Sequence, residues 1–220
     1  MNTVQAWHIV PYGEAALLVE ADAERELANH AVLALAVHLD HLALPHVSLV
    51  QPALTSLLLR FDPLRTTHAA VEQQVRSSLD QLDVVPAPPT HVVTIPVRYG
   101  GDDGPDLDHV AHLLGIRNDE VIALHTGQVY RVQMIGFAPG FPYIGPLPPE
   151  LTLPRRSTPR TAVPAGSVAI AAGMTGIYPQ RLPGGWHIIG RTDVILFDPL
   201  RSPPALLQPG DGVRFVNNDQ

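Results

Sequence analysis

The sequence contains no lysine and no cysteine. Without cysteine there can be no disulfide, no thiolate zinc site and no thiol nucleophile. Without lysine there is neither a Walker-type phosphate loop nor Schiff-base chemistry. All 14 strong cations are therefore arginines, whose planar fork suits carboxylate and phosphate oxygens. No apolar run approaches the ~20 residues of a membrane-spanning helix. The opening M-N-T-V-Q-A-W-H lacks the basic and apolar regions of a signal peptide, so a soluble cytoplasmic protein is expected. A formal charge of -7 argues against general nucleic-acid binding, which needs a basic face.

What the sequence does have is a long stretch, Met134 to Arg191, in which Gly and Pro recur between short apolar runs. Proline removes a donor and clashes inside a helix, and glycine adds entropic cost, so this stretch is not helical. Phe137, Phe141, Tyr143, Tyr178 and Trp186 set it apart from a disordered tract. It reads as short strands joined by fixed turns. Arg155, Arg156, Arg160, Arg181 and Arg191 lie within it and Glu150 is its only acid, which points to an anion site.

The chain of 220 residues is long enough for one large domain or two small ones. Residues 6–20 predict two strands around Pro11-Tyr12-Gly13. Asp22 is the expected cap of a helix bearing Leu27, Ala31, Leu35 and Leu39 on one face. Strands at 46–51 and 54–61 follow, then a helix capped by Thr66 or Thr67 with Val71, Val75 and Leu79 as its stripe. This is an α+β fold class: a small sandwich over residues 1–85, a stiff Pro-rich linker at 86–90, and a second unit over 91–220. The second unit predicts a strand at His91–Arg98, a helix from about Pro105 to Gly115, and a short helix capped by Asn118 and ending near His125. Strands at Gln128–Ile135, Val194–Phe197 and Val213–Val216 complete a closed or nearly closed barrel.

Among candidate site residues, His125 reads either as a general acid/base or as a helix-end histidine satisfying carbonyls. Arg155, Arg156 and Arg160 sit in P-R-R-S-T-P-R, where two prolines hold the backbone. Each reads as an anion ligand, as part of a solvated loop, or as a staple for loop carbonyls. Tyr178 and Trp186 divide between core packing and pocket lining. The pairs His38/His41 and His109/His112 share a helix face but lack a third ligand, so no metal is expected. Ser167 lacks the glycine context of a nucleophile elbow. From the residues alone, two units and an arginine-rich anion pocket follow, and no reaction does.

Five motifs go further: G-F-A-P-G-F-P-Y-I-G, P-R-R-S-T-P-R, V-P-A-G-S-V-A-I-A, T-G-I-Y-P and P-G-G-W-H-I-I-G-R-T. In this order they resemble the B subunit family of the prokaryotic 5-oxoprolinase. That family includes the Kip inhibitor of a sporulation histidine kinase and the allophanate hydrolase subunit 1 domain of urea amidolyase. The resemblance implies a cyclophilin-like β-barrel behind the small α+β domain. It implies an ATP-dependent opening of 5-oxoproline to L-glutamate, with C-type and A-type subunits as partners and the ATP site on or shared with a partner. A kinase regulator or a component of a urea-derivative hydrolase is the alternative. The residues expected to act are His125 and Arg160 in catalysis and Arg155, Tyr178, Trp186 and Arg191 in substrate binding, with His125, Arg155 and Arg160 converging on one site. Met174 and Leu182 depart from residues common in the family, beside the expected pocket.

Overall fold

Alternation along Ala16–Asp22 turns Leu17, Val19 and Ala21 to one side, and all three are buried. The same period buries Leu57, Leu59 and Phe61 on Ser56–Phe61. In the computed structural model, which describes residues 4–82, 89 and 91–218, the chain divides into two compact units, Met1–Pro88 and Pro89–Gln220. The first is an antiparallel four-stranded sheet in the order β1-β2-β4-β3. Its strands are β1 (Ala6–Pro11), β2 (Ala16–Asp22), β3 (Val47–Pro52) and β4 (Ser56–Phe61). Helices α1 (Arg25–Leu42) and α2 (His68–Leu79) bring Ala28, Val32, Leu35, Leu39, Val71 and Val75 to its buried face. Thr67 caps α2, its hydroxyl accepting from the Ala70 amide at 3.3 Å. Asp22 does not cap α1. It closes β2 instead, and Glu24 takes the cap position with its carboxylate accepting from Glu26 N–H.

The second unit is a closed seven-stranded barrel in the order β10-β7-β6-β13-β5-β12-β9, with a separate β8–β11 ribbon. The barrel strands are β5 (Val92–Tyr99), β6 (Val129–Ile135), β7 (Pro142–Gly145), β9 (Ser167–Ala171), β10 (Met174–Ile177), β12 (His187–Arg191) and β13 (Gly212–Asn217). The ribbon pairs β8 (Arg160–Val163) with β11 (Leu182–Gly184). Its core holds Ile95, Val97, Val132, Ile144, Val168, Ile170, Ile177, Ile189, Val213 and Phe215, joined by Leu107, Val110 and Ala111 of α3 (Leu107–Leu114) and Val121 of α4 (Asn118–Thr126). Closure works because β-branched and leucine side chains fill the interior of a small barrel.

Three sequence expectations shift here. Pro105 precedes α3 rather than starting it, and Asp106 holds the N-terminal position without capping it. Asn118 begins α4 instead of capping it, and its amide donates to Asp108 at 2.6 Å, while Glu120 accepts from the Arg117 N–H. Residues 194–197 form no barrel strand: Phe197 makes an isolated bridge with Ala205, the Leu196 carbonyl accepts from the Leu206 amide at 2.8 Å, and Leu196 packs into the barrel core. The segment read as a linker, 86–90, lies outside the described residues except for Pro89.

Candidate functional site

On β7 and β10, Ile144 faces Thr175 across the strand pair and Tyr143 faces Gly176. Ile144 belongs to the core, so Tyr143 and Gly176 lie on the outer surface of the wall. Gly176 leaves room there for the Phe141 ring: an added Cβ would stand 3.0 Å from its Cζ. Around Phe141 a set of rings meets edge to face. Tyr178 lies at 5.1 Å, Tyr143 at 5.2 Å, Trp186 at 5.9 Å and Phe137 at 5.4 Å. Edge-to-face contacts of this kind add about 0.5–1.5 kcal/mol each beyond area burial. Tyr178 and Trp186 are 2% and 5% exposed, so they form the base of the cluster, whereas Phe137 is 58% exposed. Burial pushes the Tyr178 and Tyr143 phenols up; the charge of Arg155 pulls both back, and that of Arg160 also pulls back Tyr178.

The turn carrying Phe137 is built from two locally dictated pieces. In Ala138-Pro139-Gly140-Phe141 the Phe141 amide donates to the Ala138 carbonyl at 3.0 Å. Proline sits second and Gly140, at φ 76°, third, as a type II turn requires. Just before it, Ala138 N–H donates to the Gly136 carbonyl at 2.8 Å, closing a three-residue turn around Phe137 at φ 67°. Such a γ-turn is rare and strained, and a left-handed backbone costs a bulky L-residue about 1–2 kcal/mol.

The arginines of P-R-R-S-T-P-R divide into two groups. Arg160 donates through both terminal nitrogens to the Asp106 carboxylate at 2.8 Å each, and Arg156 adds a third bond at 2.8 Å. The Ile188 amide donates a fourth at 2.7 Å. Asp106 is 3% exposed. Burial alone would raise its pKa, but the bonds from Arg160 and Ile188 and the two guanidinium charges outweigh it and hold the carboxyl below its usual range. The Asp106 amide also donates to the Ile188 carbonyl, so backbone and side chain together lock the start of α3 to β12. Arg155 is exposed and, among the described residues, has no ion pair and no hydrogen bond.

The expected convergence of His125 with Arg155 and Arg160 is not what the structure places together. His125 has no exposed surface. One ring nitrogen, Nδ1, lies 2.7 Å from the Tyr99 hydroxyl, and Nε2 lies 2.9 Å from the Thr175 hydroxyl. Its ring packs on Phe215 at 4.3 Å and Tyr130 at 5.9 Å. Desolvation drives its pKa down to about 3, so it is neutral at pH 7 and already satisfied. Neither arginine shares any of these contacts. Arg191 also stands apart, in register with Arg98 on β5, and its charge acts on Asp193. Met174 is buried at the start of β10, and Leu182 starts β11.

Sequence reasoning missed Asp106, Tyr143 and the particular role of Phe137. The available signal for Asp106 was its place in G-P-D-L-D, which suggests a helix cap and conceals a carboxylate directed elsewhere. The expectation of an uncompensated arginine loop failed for Arg156 and Arg160 for the same reason: their neutralising acid comes from outside the Met134–Arg191 stretch.

Residues 7–207 match the family described as carboxyltransferase domain, subdomain C and D. The chain is 37% identical to the 5-oxoprolinase B subunit of Bacillus subtilis (strain 168), over 96% of this chain and 92% of that protein. It is 53% identical to the 5-oxoprolinase B subunit of Escherichia coli O157:H7, over 59% of each. The crystal structure of TTHA0988 superposes with a TM-score of 0.81 at 39% identity, covering 93% of this chain and 40% of that one. With a family match over nearly all its length and an end-to-end relative at this identity, the chain belongs to the family of 5-oxoprolinase B subunits.

Proposed function

We propose that this chain is the B subunit of an ATP-dependent 5-oxoprolinase that opens 5-oxoproline to L-glutamate together with C-type and A-type subunits. The observation that carries the reading is the end-to-end likeness to the Bacillus subtilis protein, over 96% of this chain and 92% of that one. The site adds an exposed arginine, Arg155, that has no ion pair among the described residues and whose charge acts on Tyr143 and Tyr178 of the aromatic cluster.

A γ-lactam is an unstrained amide, so its hydrolysis needs activation of the carbonyl and charge stabilisation as the bond breaks. A nucleotide site needs several donors around its phosphates. Among the described residues Arg156 and Arg160 are directed at Asp106, and the sequence has no lysine. These residues do not fit a self-contained ATP site, and no ATP-dependent step is placed on this chain. Its own contribution in this reading is structural: the Asp106 network holds the loop of residues 154–160 against β12 and so fixes the backbone that carries exposed Arg155.

The test is reconstitution. The three purified subunits are mixed, and glutamate formation from 5-oxoproline is measured alongside ADP release. ATP-dependent glutamate production that vanishes when this chain is left out is the expected result. Full activity of the other two subunits without it would overturn the proposal.

A further inference from the structure

Phe137 is displayed in an unusual way. Its backbone sits at φ 67°, in the left-handed region that bulky side chains avoid. Its ring is nevertheless more than half exposed, so the unfavourable turn is not compensated by burial within this chain. Nor is the ring loose. It rests edge-on against Phe141 at 5.4 Å, and Phe141 is itself wedged against Tyr178 and Trp186. The result is a stiff aromatic knob on a buried base; half-buried Tyr143 packs on the same Phe141 ring at 5.2 Å, and exposed Arg155 is near enough for its charge to act on Tyr143 and Tyr178. Aromatic residues and arginine are the types that dominate binding energy at protein interfaces, and a preorganised anchor loses little entropy on docking. A projecting knob needs a socket on the other side, and an arginine without an acid needs a carboxylate there. In TTHA0988 the region shared with this chain makes up 40% of a longer polypeptide, so there a large neighbour is attached covalently.

We propose that Phe137, braced by Phe141 and flanked by Tyr143 and Arg155, is the anchor through which the barrel unit docks a partner protein presenting an apolar socket with a carboxylate at its rim. This rests on the proposed function above, which supplies the C-type subunit as that partner.

Calorimetry on the purified full chain and the C-type subunit gives the Kd for wild type, Phe137→Gly, Phe137→Glu and Arg155→Glu. Phe137→Gly removes the ring and suits the turn, so it keeps the thermal midpoint to within about 3 °C. Both Phe137 variants are expected to weaken association by roughly thirty-fold or more, and Arg155→Glu by about ten-fold with a flatter salt dependence. A wild-type Kd in a folded Phe137→Gly chain overturns the docking assignment. So does an unchanged Kd accompanied by a raised KM for 5-oxoproline, which would make the patch a substrate wall. Failure of the wild-type chain and C-type subunit to associate at micromolar concentration overturns docking and the partner reading together. An association lost in the Phe137 variants, in a complex inert toward 5-oxoproline, upholds docking and removes the 5-oxoprolinase reading alone.

Discussion

Replacing Asp106 with Asn is the most informative single change in the barrel unit. The substitution keeps the shape and lets one oxygen still accept from the Ile188 amide. It also turns an NH2 group toward donors of Arg156 or Arg160, which then face a donor instead of an acceptor. Removing one partner of a buried ion pair costs about 3–5 kcal/mol. Here the acid's side chain is 5% exposed but the two arginine side chains are 28% and 26% exposed, so water recovers part of the loss. About 2–3 kcal/mol is the reasoned figure, which for a protein of this size lowers the thermal midpoint by roughly 5–10 °C. The pH dependence provides an internal control. A carboxyl held below its unfolded pKa contributes stability that is present above about pH 4 and lost as pH falls through the folded value. The deficit of Asp106→Asn should therefore be full at pH 7 and shrink toward pH 3. Circular dichroism melts of both proteins at the two pH values measure it. A variant melting within 1 °C of wild type at pH 7, or a deficit equally large in acid, would refute the reasoning.

His125 has a folded pKa depressed to about 3, so the unfolded chain takes up its proton first as pH falls below about 6.5. This site alone should remove about 1.4 kcal/mol of stability between pH 7.5 and 5.5, seen in urea titrations and absent in His125→Gln. Arg160→Lys keeps the charge but forfeits the two-pronged contact, so its melt should fall between those of wild type and Arg160→Ala. A Cβ on Gly184 would collide with the Tyr178 hydroxyl, so Gly184→Ala should cost about 1–3 kcal/mol and alter the near-ultraviolet dichroism of the ring cluster.

Much of the scaffold could be read from periodicity. The i, i+4 stripe of Leu35 and Leu39 and the alternation of β2 each bury the residues they predict. Gly115, past the last turn of α3, adopts the left-handed conformation its position suggests. Caps were harder, because Asp22, Asp106 and Asn118 each have two plausible uses and only tertiary neighbours decide between them. The same limit governed the site. His125 sits at a helix end in sequence, and nothing local reveals that Tyr99 and Thr175 enclose it. The arginines read as free because Asp106 lies some fifty positions away along the chain, joined to them only once the barrel closes.

The barrel is sealed by β5 and β13, its first and last strands, which run parallel with Val92 beside Gly212 and Val97 beside Asn217. A ribosome making this protein must therefore release the final strand before the seam can zip. Until then β5 and β6 each wait with an open edge, a window for chaperone capture or misassembly. Because the two strands point the same way, the exit of β13 lies a strand's length, roughly 20 Å, from the entrance of β5. Rewiring the barrel unit by itself to begin at an inner strand would thus need a bridge of at least about six residues from β13 to β5, whereas an antiparallel seam would have closed with a two-residue hairpin.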